Sequence, residues 1–175
     1  MCPHSFEMSV SWGIQWLSSP MKKRIVLLHN IRSSHNVGSI FRTADGAGVT
    51  EIILSGYTPT PLDRFGHPQK DIAKTALGAE HTVPWTHVKT PSRILRAMKK
   101  EGVTVVGIEQ DARSIDYRIF KEKGPTLYVL GNEVRGISKT LRDTCDTLLE
   151  IPMYGKKESL NVSVAAGIVL FGTVG

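Results

Sequence analysis

Short runs of Val, Ile and Leu alternate along this chain with stretches in which apolar residues recur every three or four positions. That alternation predicts an α/β domain, a mostly parallel sheet with helices on both faces. Five strands follow from the β-rich runs: Ile25 to His29, Glu51 to Leu54, Val103 to Ile108, Thr126 to Leu130 and Thr147 to Ile151. Between the first two, Val37, Ile40, Phe41, Ala44 and Gly48 fall at helical spacing, with Ser39, Arg42 and Asp45 on the far side. Further helices are expected at Gln69 to Leu77, Pro91 to Lys100 and Ser138 to Asp143. From Gly56 to Pro68 the turn residues Pro59, Pro61, Gly66 and Pro68 predict a long loop, of the kind that more often serves a site than a core. The last stretch, Ser159 to Gly175, is apolar on nearly every face, so a helix there is expected to be buried all round.

A length of 175 residues suits one compact domain rather than two. The first twenty residues have no clear period and read as an extension, with Met21 as an alternative start, which leaves 21–175 as the single domain. The chain stops at Gly175 directly after an apolar run, so its end reads as a truncation. The longest apolar stretch, Val162 to Phe171, is too short to span a bilayer, so no membrane partner is expected. Cys2 and Cys145 cannot build a disulfide framework and neither sits in a CxxC pair, which points to a reducing cytoplasm. His81 and His87 have the wrong spacing for two ligands on one helical face, so no metal is expected.

A formal charge of +6 favours a polyanionic partner such as nucleic acid, although the basic residues are spread rather than massed. No GxGxxG or GxxxxGK[ST] loop follows a strand, which counts against a dinucleotide enzyme or an NTPase. Instead, three polar clusters follow strands: Asn36-Val-Gly-Ser-Ile-Phe-Arg42, Leu130-Gly-Asn-Glu-Val-Arg-Gly-Ile-Ser138, and Ile151-Pro-Met-Tyr-Gly with Ser159-Leu-Asn-Val-Ser-Val-Ala-Ala-Gly167. Loops after strand carboxyl ends are where an α/β sheet binds ligands. Each cluster also has a purely structural reading. Asn36, Ser138, Ser159 and Asn161 could cap helices, Arg42 could pair with Asp45 one turn on, and Glu133 could be a surface charge.

Taken together, the order and identity of these clusters resemble the signature motifs of the SpoU/TrmH branch of the SPOUT RNA methyltransferases, over about Arg24 to Gly175. The resemblance implies transfer of a methyl group from S-adenosylmethionine to a ribose 2′-hydroxyl of tRNA or rRNA, leaving S-adenosylhomocysteine. It implies catalytic roles for Asn36, Arg42, Glu133, Ser159 and Asn161, and cofactor contacts at Ile108, Glu109, Leu130, Gly131, Asn132, Ile151, Met153, Ser159 and Leu160. RNA contacts are expected at Arg32, Arg42, Arg64, Lys70, Lys74 and Arg135. The resemblance leaves Arg42 as a base or an orienting group; a guanidinium holds its proton tightly, which favours orientation and charge stabilisation. It also implies a homodimer whose site is completed across the interface. A deep C-terminal trefoil knot is implied too, against the general rule that chains do not thread. Two other readings stand beside this one: a non-catalytic RNA- or cofactor-binding protein with the same fold, and a nucleotide-binding α/β domain whose motifs coincide by chance.

Overall fold

A computed structural model of the chain describes residues 23–174; the N-terminal extension, Met21, Cys2 and Gly175 lie outside them. Among the described residues, seven strands form one sheet in the order β3 (Trp85–Val88), β2 (Glu51–Ser55), β1 (Arg24–His29), β6 (Thr126–Leu130), β4 (Thr104–Ile108), β7 (Thr147–Glu150) and β5 (Ile115–Asp116), and every pairing is parallel. The central strands are β1 (Arg24–His29), β2 (Glu51–Ser55), β4 (Thr104–Ile108), β6 (Thr126–Leu130) and β7 (Thr147–Glu150), close to their expected bounds.

The two strands that hydrophobicity did not reveal are the two edges, β3 (Trp85–Val88) and β5 (Ile115–Asp116). An edge strand is covered less, so Thr86 and His87 can stay exposed and the run lacks the apolar signature of a central strand.

Alternation along each strand divides the core in two. Val26, Leu28, Ile52, Leu54, Val106, Tyr128 and Leu130 face one layer; Ile25, Leu27, Ile53, Val105, Leu127 and Val129 face the other. The first layer is covered by α1 (Ser34–Gly46), α2 (Lys70–Ala76), the short α3 (Ala79–Thr82) and α6 (Val162–Gly172). Helices α4 (Pro91–Lys100) and α5 (Lys139–Arg142) cover the second. Gly38 lets α1 and α2 close together, because a Cβ there would lie 2.1 Å from Thr75 Oγ1 and 2.4 Å from the Ile72 carbonyl.

Helix α1 begins three residues earlier than its apolar stripe. Its cap is Ser33, whose hydroxyl accepts from the Asn36 amide at 3.3 Å, so the Asn36 side chain is left for other partners. Ser138 does occupy the cap position of α5, but its side chain makes no capping bond.

The expectation that the C-terminal helix is buried all round is corrected. Val162, Ala166, Val169 and Leu170 pack on the sheet layer, while Val164 (49% exposed) and Phe171 (57%) face outward. An apolar residue every three or four positions on the outward side as well as the inward side erases the periodicity from which one-sided burial is read.

The carboxyl end of α6 is fastened by a buried ionic network. Arg24 donates to Glu122 at 2.8 Å and to the Leu170 carbonyl at 2.6 Å. Tyr128 donates its hydroxyl proton to Glu122 at 2.6 Å and lies 2.7 Å from the Thr173 hydroxyl. Burial, reinforced by Glu122, pushes the Tyr128 phenol well above its ordinary range, so it stays a donor.

Candidate active site

Parallel pairing of β1 with β6 sets Leu28 opposite Leu130, so the segments that leave these strands, 29–33 and 131–135, emerge side by side. Residues 131–137 form a tight turn. The Asn132 amide donates to the Gly136 carbonyl at 3.1 Å, and the Gly136 amide returns a bond to the Asn132 carbonyl at 2.8 Å. Inside it, Asn132 Oδ1 accepts from the amides of Val134 and Arg135 at 3.0 and 2.9 Å. Glycine is required at both ends. A Cβ on Gly131 would lie 2.3 Å from the Gly136 carbonyl carbon, and Gly136 has a φ of +64° with Glu109 Oε2 where a Cβ would go.

This turn holds Glu133 against the start of α1. Its carboxylate accepts from the Arg32 amide at 3.0 and 3.2 Å, the Ser33 amide at 3.2 Å and Asn36 Nδ2 at 3.1 Å. Partial burial works to raise the Glu133 pKa. The bonds from Arg32, from its own amide, from Asn36 and from Ser33 outweigh it and hold the carboxyl below its ordinary value. Asn36 Oδ1 in turn accepts from Asn161 Nδ2 at 3.1 Å. Asn161 Oδ1 caps α6 through the Ser163 amide at 2.8 Å. The three polar clusters, far apart in sequence, are thus joined by one chain of hydrogen bonds running Asn161, Asn36, Glu133.

Beside it opens a cleft of about 360 Å³ beyond the carboxyl ends of β4, β6 and β7. Every position expected to touch a cofactor lines it: Ile108 and Glu109 after β4, Leu130, Gly131 and Asn132 after β6, and Ile151, Met153, Ser159 and Leu160 after β7. Arg135 stands exposed at its rim. Sequence reasoning missed Gln110, Glu150 and Glu158 in the same lining. Gln110 Nε2 donates to the Glu158 carbonyl at 2.7 Å, tying the two sides of the cleft, but no local pattern marks a residue whose partner is 48 positions away. Glu109 accepts from the Ile137 amide at 2.6 Å and so fixes the end of the turn. Asn30 and Tyr57 were also missed: Asn132 Nδ2 donates to the Asn30 carbonyl and to the Tyr57 hydroxyl, each at 3.0 Å.

Arg42 is not brought into this group. It lies six positions beyond Asn36 on the exposed side of α1, outside the cleft lining. Among the described residues its side chain makes no hydrogen bond or ion pair. Arg32 is exposed on the loop after β1, whereas Arg64, Lys70 and Lys74 are exposed at the β2–α2 end. No group of three or more His, Cys, Asp or Glu side chains able to hold a metal occurs among the described residues. Nor is any helix there long and apolar enough to cross a membrane.

An all-parallel sheet with a cleft formed by backbone turns after its strand ends defines an α/β ligand-binding domain. The particular family follows from comparison: residues 23–171 match the SpoU rRNA Methylase family, and the chain belongs to it. It is 41% identical over 150 residues to the 23S rRNA (guanosine-2'-O-)-methyltransferase RlmB of Ralstonia nicotianae, covering 86% of this chain and 57% of that protein. Among solved structures, it resembles the AdoMet-bound rRNA methyltransferase of Sinorhizobium meliloti, with 33% identity, a TM-score of 0.77, and coverage of 87% of this chain and 56% of that one. The A. aeolicus TrmH/SpoU tRNA modifying enzyme matches with 30% identity and a TM-score of 0.76, over 87% of this chain and 74% of that one. The chain therefore spans little more than half the length of the RlmB relatives.

Proposed function

We propose that this chain is the catalytic unit of an S-adenosylmethionine-dependent methyltransferase that modifies a ribose 2′-hydroxyl of ribosomal RNA in the cytoplasm. The observation that carries the reading is the Asn161–Asn36–Glu133 chain of hydrogen bonds at the edge of the cleft. It has no structural necessity as a cap for α1, which Ser33 already provides. The choice of ribosomal RNA follows from the RlmB relatives, which are 23S rRNA (guanosine-2'-O-)-methyltransferases.

The cleft fits the donor chemically. Ile108, Leu130, Leu149 and Ile151 offer apolar walls for a purine, and backbone amides and carbonyls of the surrounding turns offer its polar edge partners. Glu109, Glu133, Glu150 and Glu158 line the cleft, a carboxylate set suited to a sulfonium and an ammonium. The donor, when bound, supplies an electrophilic methyl carbon.

The side chains of the protein orient its acceptor. Glu133 fixes the loop 32–36 and Asn36, and Asn161 fixes the entry to α6. In-line transfer requires the acceptor oxygen, carbon and sulfur to be aligned, so positioning alone lowers the barrier substantially.

Arg42 supplies positive charge near the ribose and phosphate, and we assign it to the site of a second copy of the chain. That assignment explains why it stands exposed and apart from the cleft of its own chain. The outward apolar row of Val164 and Phe171 on α6, which packs beside α1, gives the two copies a surface to share. Trefoil threading of the C-terminal segment is part of the same proposal, supported by the likeness to the TrmH/SpoU structure.

The test is methyl incorporation from labelled S-adenosylmethionine into bulk RNA. Wild-type protein should transfer label and Arg42→Ala should lose it. Equal inactivity of both, with S-adenosylhomocysteine still bound, would favour a non-catalytic binder.

A further inference from the structure

Segment 56–69, between β2 and α2, is a connection with its own internal order. Asp63 Oδ1 accepts from the amides of Phe65 and His67 at 2.7 and 2.9 Å. The Asp63 amide donates to the His67 carbonyl at 2.9 Å, the Gln69 amide donates to the Pro61 carbonyl at 2.9 Å, and Leu62 pairs with Pro68. The result is a rigid finger with Arg64 and Phe65 at its tip. Phe65 is 69% exposed, and the Arg64 guanidinium lies 4.7 Å from its ring centroid. Tyr57 lines one groove with Arg64 and Phe65 and is 58% exposed. Its hydroxyl accepts from Asn132, which anchors the ring to the turn that carries Glu133.

Aromatic surface left in water returns little to the stability of the fold, and local hydrogen bonds that hold such rings outward suit a contact surface. Two rings with a planar cation over one of them match an unpaired nucleobase: the π faces accept stacking whatever the base, and the guanidinium answers the adjacent phosphate. Since the loop is already ordered by its own bonds, little conformational entropy remains to be lost on binding.

We propose that Tyr57, Phe65 and Arg64 form a stacking platform for an unpaired base of the RNA, flanking the nucleotide presented to the cleft. This inference rests on the RNA methyltransferase reading and adds the subsite that holds the strand.

A short single-stranded RNA carrying 2-aminopurine provides the test, because the fluorescence of this base is quenched when it stacks. Wild-type protein should quench it. Phe65→Ala should bind about 5- to 150-fold more weakly, or ~1–3 kcal/mol at ~1.4 kcal/mol per tenfold. Phe65→Tyr should retain quenching and affinity while Phe65→Leu, apolar but without a π face, should not. Affinity for S-adenosylhomocysteine, measured by calorimetry, should be unchanged in all three. Equal RNA affinity and equal quenching in wild type and Phe65→Ala overturn the platform and leave the methyl-transfer reading intact. A wild-type chain that binds S-adenosylhomocysteine but no RNA overturns both.

Discussion

Glu133→Gln removes the charge that joins two of the three motifs while keeping the size and one acceptor oxygen. In the native chain the carboxylate takes bonds from two backbone amides and from Asn36, and through Asn36 it steadies Asn161. Hydrogen bonds to a charged group contribute roughly 1.5–3 kcal/mol each, but Glu133 is only partly buried and water can replace some of them. A net loss of about 1–2 kcal/mol is expected for Gln, a fall of about 2–8 °C in Tm for a chain of this size. The pH dependence isolates the cause. The native carboxyl titrates below its ordinary value of 4.5, so its stabilisation is present above that pH and is lost as pH falls through the lower native value. Thermal melts of the two proteins should therefore differ near neutrality and converge on acidification. A constant difference at every pH, or none at pH 7, would refute the assignment of Glu133 as a charged hub.

Glu122→Ala leaves the Arg24 guanidinium buried without its carboxylate and should cost about 3–5 kcal/mol in urea unfolding, whereas Arg24→Met with Glu122→Leu should recover much of that loss. Gly131→Ala places a Cβ against the backbone of Gly136 and Ile137; the turn must move, at a cost of about 1–3 kcal/mol, and S-adenosylhomocysteine affinity should fall by at most the equivalent, about 150-fold. Phe171→Glu charges the exposed apolar side of α6; if the two copies share that surface as proposed, light scattering should report a dimer for the wild type and a monomer for the variant, and equal masses would refute the pairing.

Central strands, the principal helices and the three polar clusters were legible because each is a local pattern: a run of β-branched residues, a helical stripe, a Gly-Asn-Glu after a strand. What was not legible depends on neighbours in space. The edge strands β3 and β5 are less covered than the central ones and so lack an apolar run. Asn36 looked like a cap because only the structure shows Ser33 in that place. The outward side of α6 looked buried because sequence records that a residue is apolar, not whether anything covers it. The Arg24–Glu122 pair spans 98 positions, and each member alone reads as a surface charge. For the site, the residues of the three clusters reach the cleft through their motifs, while Gln110, Glu150 and Glu158 in its lining, and Asn30 and Tyr57, which support Asn132 from the loops after β1 and β2, carry no motif at all.

The central claim is that a methyl group reaches a ribose oxygen. RNA incubated with the protein and methyl-labelled S-adenosylmethionine, then hydrolysed in alkali, decides it. A 2′-O-methyl ribose cannot assist cleavage of the next phosphodiester bond, so the account predicts label in alkali-resistant dinucleotides. Label recovered only in mononucleotides would place the methyl on a base and contradict it.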